Sequence, residues 1–369
     1  MRTRLLALAL LATALLGLAP LAGAQGGQDL GTCFNLPPED CQILLAAAAH
    51  TEANLRAFHL TFTLDLALSG TTALRPLAGP GLQDVSAHLE AEGPVAAAGP
   101  GVYPPVEAQL ALSGNVSSGA QRQPLSAHLV LAEGVLYRRQ GETGPWLGTP
   151  VAELLDSLDP QTRALVGLLL GPELETTAGL PEGTLTPGDL LGGDSTALLE
   201  GLDAGQGFDM EALLHTPGFI NHERLPDETD GGQTMHVFRL TLDTAPLFAS
   251  PEFQDMLGQM VATAAEDTPG MGTQMARAVP MLLSGISITF QQTQWVGAQD
   301  RFIHATAVSL NATIDLGAMV PSGSGSGAAR PSPIILDLHA TAALDRLNET
   351  FSIAAPPGAT MVPAAAFLP

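Results

Sequence analysis

Apolar and polar side chains alternate one for one over long stretches of this sequence, and a chain patterned that way has few means of burying itself. Phe58, Leu60, Phe62, Leu64, Leu66 and Leu68 alternate with His59, Thr61, Thr63, Asp65 and Ala67. Successive side chains of a strand point to opposite faces, so the pattern describes a β-strand with one buried and one solvated face. Val85, Ala87, Leu89 and Ala91 repeat it, as do Val106, Ala108, Leu110 and Leu112, and Leu125, Ala127, Leu129 and Leu131. Gly134 reads as a turn into Val135–Arg139, and Trp146 closes the block after Gly144-Pro145. The pattern returns in Phe238, Leu240 and Leu242, then in Ile286, Ile288 and Phe290. Phe302–Leu316 and Ile334–Leu344 carry it at full length. Such runs span roughly 35–50 Å. Long strands with one polar and one apolar face fit a curved antiparallel sheet, because a parallel sheet is buried on both sides.

Between the strands the period changes. Asp40–Ala57 reads as a helix that opens on an aspartate cap. Val151–Leu170, Asp194–Leu202, Phe208–Leu214 and Pro246–Leu283 are rich in Leu and Met, and Pro and Gly cut them into short helices. Ser322–Gly327 alternates Ser and Gly as a flexible loop. The expected fold class is therefore α+β, a strongly curved antiparallel half-barrel with helices over its concave apolar face. The expected organisation is an export signal over 1–24, a loop and first helix over 25–57, and one domain over 58–369 with helical insertions at about 151–215 and 246–284. Helices in the concavity either fill it or leave a cavity lined by Leu, Met, Phe and Val. The candidate wall is Leu60, Phe62, Leu64, Leu89, Leu110 and Leu129, and the candidate lid carries Met256, Met260, Met275 and Met281. Methionine adapts to irregular ligands, although a plain methionine-containing core is the simpler account of that segment.

The first residues form an address. Arg2 and Arg4 precede an apolar run from Leu5 to Leu21, and Ala22-Gly23-Ala24 supplies the small residues of a cleavage site, so cleavage is expected after Ala24. A retained membrane anchor fits less well, because the run is short and broken by Pro20. Cys33 follows Leu30-Gly31-Thr32, a poor lipobox far from the apolar run. Cys33 and Cys41 are the two cysteines, and export to an oxidising compartment makes a disulfide between them the expected outcome.

Charge excludes whole classes of function. Asp and Glu number 37 against 14 basic residues, all Arg, for a net charge of −23 without a basic cluster. Phosphate backbones require concentrated positive charge, so no nucleic-acid partner is expected. Electrostatic docking on anionic membranes is disfavoured for the same reason. His59, His88, His128 and His339 all take the polar parity of their strands and are expected on the outer face, but each stands singly and no zinc-binding pair is present, so no metal site is expected. Asp227–Gly232 lacks the acid spacing of a calcium loop and reads as a hairpin turn. No nucleophile elbow, dinucleotide fingerprint or phosphate loop occurs, and neither catalytic residues nor a cofactor are expected.

The order of features resembles the LolA-like exported carriers, including the LppX/LprG lipoprotein group. An Ala-rich helix enters NLRAFHLTFTLDL, and LVLAEGVLYRRQGETGPW resembles the strand–turn–strand of that family ending in Trp. ERLPDETDGGQTMHVFRLTLD follows, and a last strand leads into Ile353-Ala-Ala-Pro-Pro. The resemblance implies a half-barrel whose concave face, closed by helices, holds lipid or lipoprotein acyl chains. Two departures stand against it: the lipobox is missing and the helical insertions are larger. The function expected is extracytoplasmic, non-enzymatic binding or carriage of a lipid or other apolar small molecule, with a cell-envelope protein as a second candidate partner. The alternative is a structural or sensory envelope protein of the same fold, with a filled core and an acidic outer face that makes its contacts.

Overall fold

Each alternating stretch is a strand. The computed structural model describes residues 33, 35–71, 83–98, 106–119, 121–157, 216–258, 283, 285–315 and 332–367. Within them the strands are β1 (Ala57–Ser69), β2 (Val85–Ala97), β3 (Val106–Ser118), β4 (Gln121–Ala132), β5 (Val135–Gln140), β6 (Leu147–Pro150), β7 (Ile220–Asp230), β8 (Gln233–Asp243), β9 (Ile286–Gly297), β10 (Ile303–Ile314), β11 (Ile334–Asp345) and β12 (Thr360–Met361). The helices are α1 (Pro38–Asn54), α2 (Val151–Asp156), α3 (Thr244–Ala249), α4 (251–258) and α5 (Ala364–Phe367). One curved, open sheet holds all twelve strands in the order β12-β6-β5-β4-β3-β2-β1-β11-β10-β9-β8-β7. Its neighbours are antiparallel except for the β12–β6 pair. The first and last long strands, β1 and β11, are paired at its centre from His59 opposite Asp345 to Ser69 opposite Ile335.

Register converts the sequence alternation into two chemically distinct faces. Leu125, Gly114, Leu89, Leu64, Ala340 and Val308 stand in one row across six strands. Side chains opposite one another in a ladder share a face, so this row and its neighbours form a continuous apolar wall. Phe58, Leu60, Phe62, Leu64, Leu89, Ala91, Val95, Leu110, Leu112, Ala342 and Leu344 are its buried centre. Two glycines in mid-strand allow the strands to come close enough. At Gly93 (φ 150°) a Cβ would lie 2.0 Å from the Gln109 carbonyl oxygen, and at Gly114 (φ 155°) 2.1 Å from that of His88. Both the backbone angle and the contact exclude a side chain there.

Helices cover the apolar face at both ends. α1 lays Leu44 and Ala47 against Phe238, Val296 and Ile303, and the Thr51 hydroxyl accepts a hydrogen bond from the Ile303 amide at 3.0 Å. At the opposite end Leu154 of α2 and Ala364 and Phe367 of α5 pack on Leu136. The first helix and the C-terminus thus supply part of the cover of the apolar face. Asp40 is not the helix cap: Pro37 holds that position, Pro38 opens the helix, and the buried Asp40 carboxylate accepts from Arg224 Nη1 at 2.7 Å. The helix also stops at Asn54, short of the expected Ala57, because Ala57 begins the ladder with β2 and the Ala97 amide already donates to the Arg56 carbonyl. Cys33 and Cys41 form the expected disulfide, tying the entry turn to the start of α1.

The C-terminal segment passes round the short edge of the sheet. Ile353 and Ala359 pack on Val130, Ala132 and Tyr137 of the polar face, β12 adds to β6, and α5 then lies on the apolar face. The other edge, β7, carries Glu223, Pro226, Asp227, Glu228 and Asp230, with a register shift between Leu225 and Glu228. Charge, proline and an irregular ladder all discourage pairing with a second chain. Trp295 Nε1 donates to Glu228 Oε2 at 2.8 Å and pins that irregularity to β9.

Candidate functional site

Leu60, Phe62, Leu64, Leu89, Leu110 and Leu129 all stand on the apolar face, the first five buried and Leu129 at the rim of the same cluster. Burial declines along β1: Phe58 to Leu64 are enclosed, while Leu66 and Leu68 are half-buried. Ile286, Ile288, Leu310, Ala312, Ile314, Leu336 and Leu338 are half-buried on the same side, so the wall runs beyond its enclosed centre. From Phe58 to Leu68 the apolar side of β1 alone is about 33 Å long, close to the roughly 30 Å core of a bilayer.

Of the candidate lid, Met256 is half-buried in α4. Met260, Met275 and Met281 lie outside the described residues, as do residues 1–32, the Ser-Gly tract and most of both insertions.

One charged side chain on this wall escapes a reading by composition. Arg138 of β5 stands opposite Leu129 on one side and Leu147 on the other, and shares their face. It is half-buried, its guanidinium carbon is 5.0 Å from the centre of the Phe367 ring, and burial lowers its pKa. Arginine remains charged through such a shift. Its neighbour Arg139 points to the other face, where it meets both Trp146 and Glu142. Parity was the available signal: Leu136 and Arg138 are two residues apart on one strand, and Leu136 is core.

The opposite face carries a polar row. Gln291, Ser309, His339, Asp65, His88 and Asn115 stand side by side on six strands. A cleft of about 500 Å³ opens over them, lined also by Ser86, Thr289, Asn311 and Asp337. His59, His88, His128 and His339 share this face, as their parity implied. His88 Nδ1 lies 2.7 Å from Asp65 Oδ1, and this hydrogen bond, helped by Glu90, raises the His88 pKa. Among the described residues no three His, Cys, Asp or Glu side chains gather closely enough to hold a metal ion. Nor is any described helix long and apolar enough to cross a membrane.

No family model matches the sequence, and no curated protein matches it. Among solved structures the chain is similar to LprF from Mycobacterium bovis, at 12% identity over 88% of this chain and 99% of that one, with a TM-score of 0.28. It is similar to the lipoprotein LppX of Mycobacterium tuberculosis at 11% identity, over 84% and 97% of the two chains, with a TM-score of 0.25. A LolA superfamily protein from Nitrosomonas europaea follows at 8% identity, over 80% and 88%, with a TM-score of 0.16.

Proposed function

We propose that this protein is an extracytoplasmic, non-enzymatic binder or carrier of a hydrophobic ligand, an acyl chain or related lipid, held against the apolar face of the sheet. The observation that carries the reading is the extent of that face: aliphatic side chains from β1, β2, β3, β4, β10 and β11 stand in register, and half-buried ones prolong the wall past its enclosed centre. An extended apolar surface of this kind marks a place for an apolar partner. Each methylene removed from water there contributes about 0.8 kcal/mol before the cost of ordering the ligand. The Cys33–Cys41 disulfide supports an oxidising compartment, and with the N-terminal address it supports export. Solvent extraction of protein isolated under native conditions, followed by mass spectrometry, tests the proposal. An acyl-bearing molecule in stoichiometric amount is the expected result. No extractable lipid, together with no displacement of a neutral hydrophobic dye, would leave the proposal without support.

A second reading, a structural or sensory envelope protein acting through its outer face, draws on the polar cleft around Asp65, His88 and His339. Replacing Asp337 and Asn311 by Leu would then abolish capture of an envelope partner while leaving lipid content unchanged.

A further inference from the structure

We propose that Arg138 receives the head of the ligand and that the ligand is therefore an anionic amphiphile, its apolar chain on the wall and its carboxylate or phosphate at this guanidinium. The inference rests on the reading above. Three of the described arginines lie over aromatic rings: Arg138 over Phe367, Arg139 over Trp146 and Arg346 over Phe351. Arg139 and Arg346 each also meet a carboxylate, Glu142 at 3.8 Å and Glu349 at 2.8 Å. Arg138 meets none among the described residues, although acidic side chains outnumber basic ones by 37 to 14. Of these three, the one without a carboxylate is the one on the apolar face.

Its position suits a head group. Leu129, opposite it on β4, is at the rim of the central cluster, and Phe367, beneath it, belongs to the cluster at the sheet edge. Leu110, Leu129 and Arg138 stand in one row, so a chain lying across the strands would reach the guanidinium beside Leu129. Stacking over a ring engages the face of the cation and leaves its N–H groups for an acceptor, and a guanidinium matches carboxylate and phosphate oxygens two at a time. In a partly desolvated site such a pair is stronger than in water, whereas a neutral hydroxyl offers no charge to meet it.

The test uses the full exported chain and two matched pairs of ligands at pH 8: oleate with oleyl alcohol, and monooleoylglycerol phosphate with monooleoylglycerol. Each competes with a neutral fluorescent hydrophobic probe. The expected result is that at least one anionic member binds tenfold or more tightly than its neutral partner, the pair with the larger ratio identifying carboxylate or phosphate as the head. Arg138→Met should bring that ratio close to one and leave the neutral ligands unchanged, while Arg138→Lys should keep part of it. Equal binding within both pairs by the unaltered protein, or a ratio that survives Arg138→Met, would overturn the assignment of Arg138 while leaving lipid binding intact. If none of the four ligands displaces the probe, the carrier reading and this inference fall together. Should Arg138→Met fail to fold, the ratio in the unaltered protein and in Arg138→Lys decides.

Discussion

At the scale of single residues, parity along a strand made most of the wall legible, and it failed where charge competes with position. Leu60, Phe62, Leu64, Leu89 and Leu110 could be placed because an apolar side chain among alternating polar ones has one favourable side. Arg138 could not, since a charged residue on a strand is ordinarily read as solvated, and its face is fixed only by its ladder with Leu129 and Leu147. Asp40 departs from its local pattern for a similar reason: an acid near a helix start suggests a cap, but its partner Arg224 is 184 residues away. On the polar face, pairing sets a pH dependence. The hydrogen bond that His88 donates to the Asp65 carboxylate holds the His88 pKa above the ordinary histidine value, so protonated His88 is favoured in the folded state. Its stabilisation is complete below about pH 6.5 and fades as pH rises through the raised value. Asp65→Asn should therefore lower the thermal midpoint at pH 5.5 and leave it nearly unchanged at pH 9. An NMR titration should find the His88 pKa lower in that variant; an unmoved His88 titration would contradict the pairing.

Among the elements, the strands followed from their period, whereas the helices that cover them followed from docking. A period of two survives any arrangement of neighbours, and the long β1, β10 and β11 appear where alternation placed them. The role of α1 as cover depends instead on Phe238, Val296 and Ile303 arriving from three later strands. The α5 turn is too short for any periodic signal, and β12 pairs over two residues. Gly93 and Gly114 sit inside strands that would otherwise reject them, and their extended but positive φ angles let neighbouring carbonyls approach. A Gly114→Ala substitution should destabilise the fold by about 1–3 kcal/mol, more than glycine replacement at an open turn such as Gly231. Denaturant titration of the two variants checks this; equal midpoints would mean that the β2–β3 pair accommodates a methyl group without strain.

At the scale of the molecule, one sheet with two chemically opposed faces must satisfy them differently. Water serves the polar face, with its acids, amides and histidines. The apolar face needs cover along its whole length, and α1, α2 and α5 supply it at the two ends. A ligand along the wall would bind the folded chain and not the unfolded one, and would stabilise it by about 2.7 kcal/mol at a free concentration one hundred times its dissociation constant. Delipidation should accordingly lower the thermal midpoint, and adding back the extracted fraction should restore it. Identical melting curves before and after extraction would count against a lipid in the native protein.

The sequence by itself determined the strands, their two faces and the cysteine pair, because alternation and short-range spacing are local properties that survive any packing. Only the tertiary structure decided which strands are neighbours, that α1 and the C-terminus share the cover, and that Arg138 stands among leucines. Those facts are set by ladder register between segments far apart in the chain, where a shift of one residue exchanges the faces.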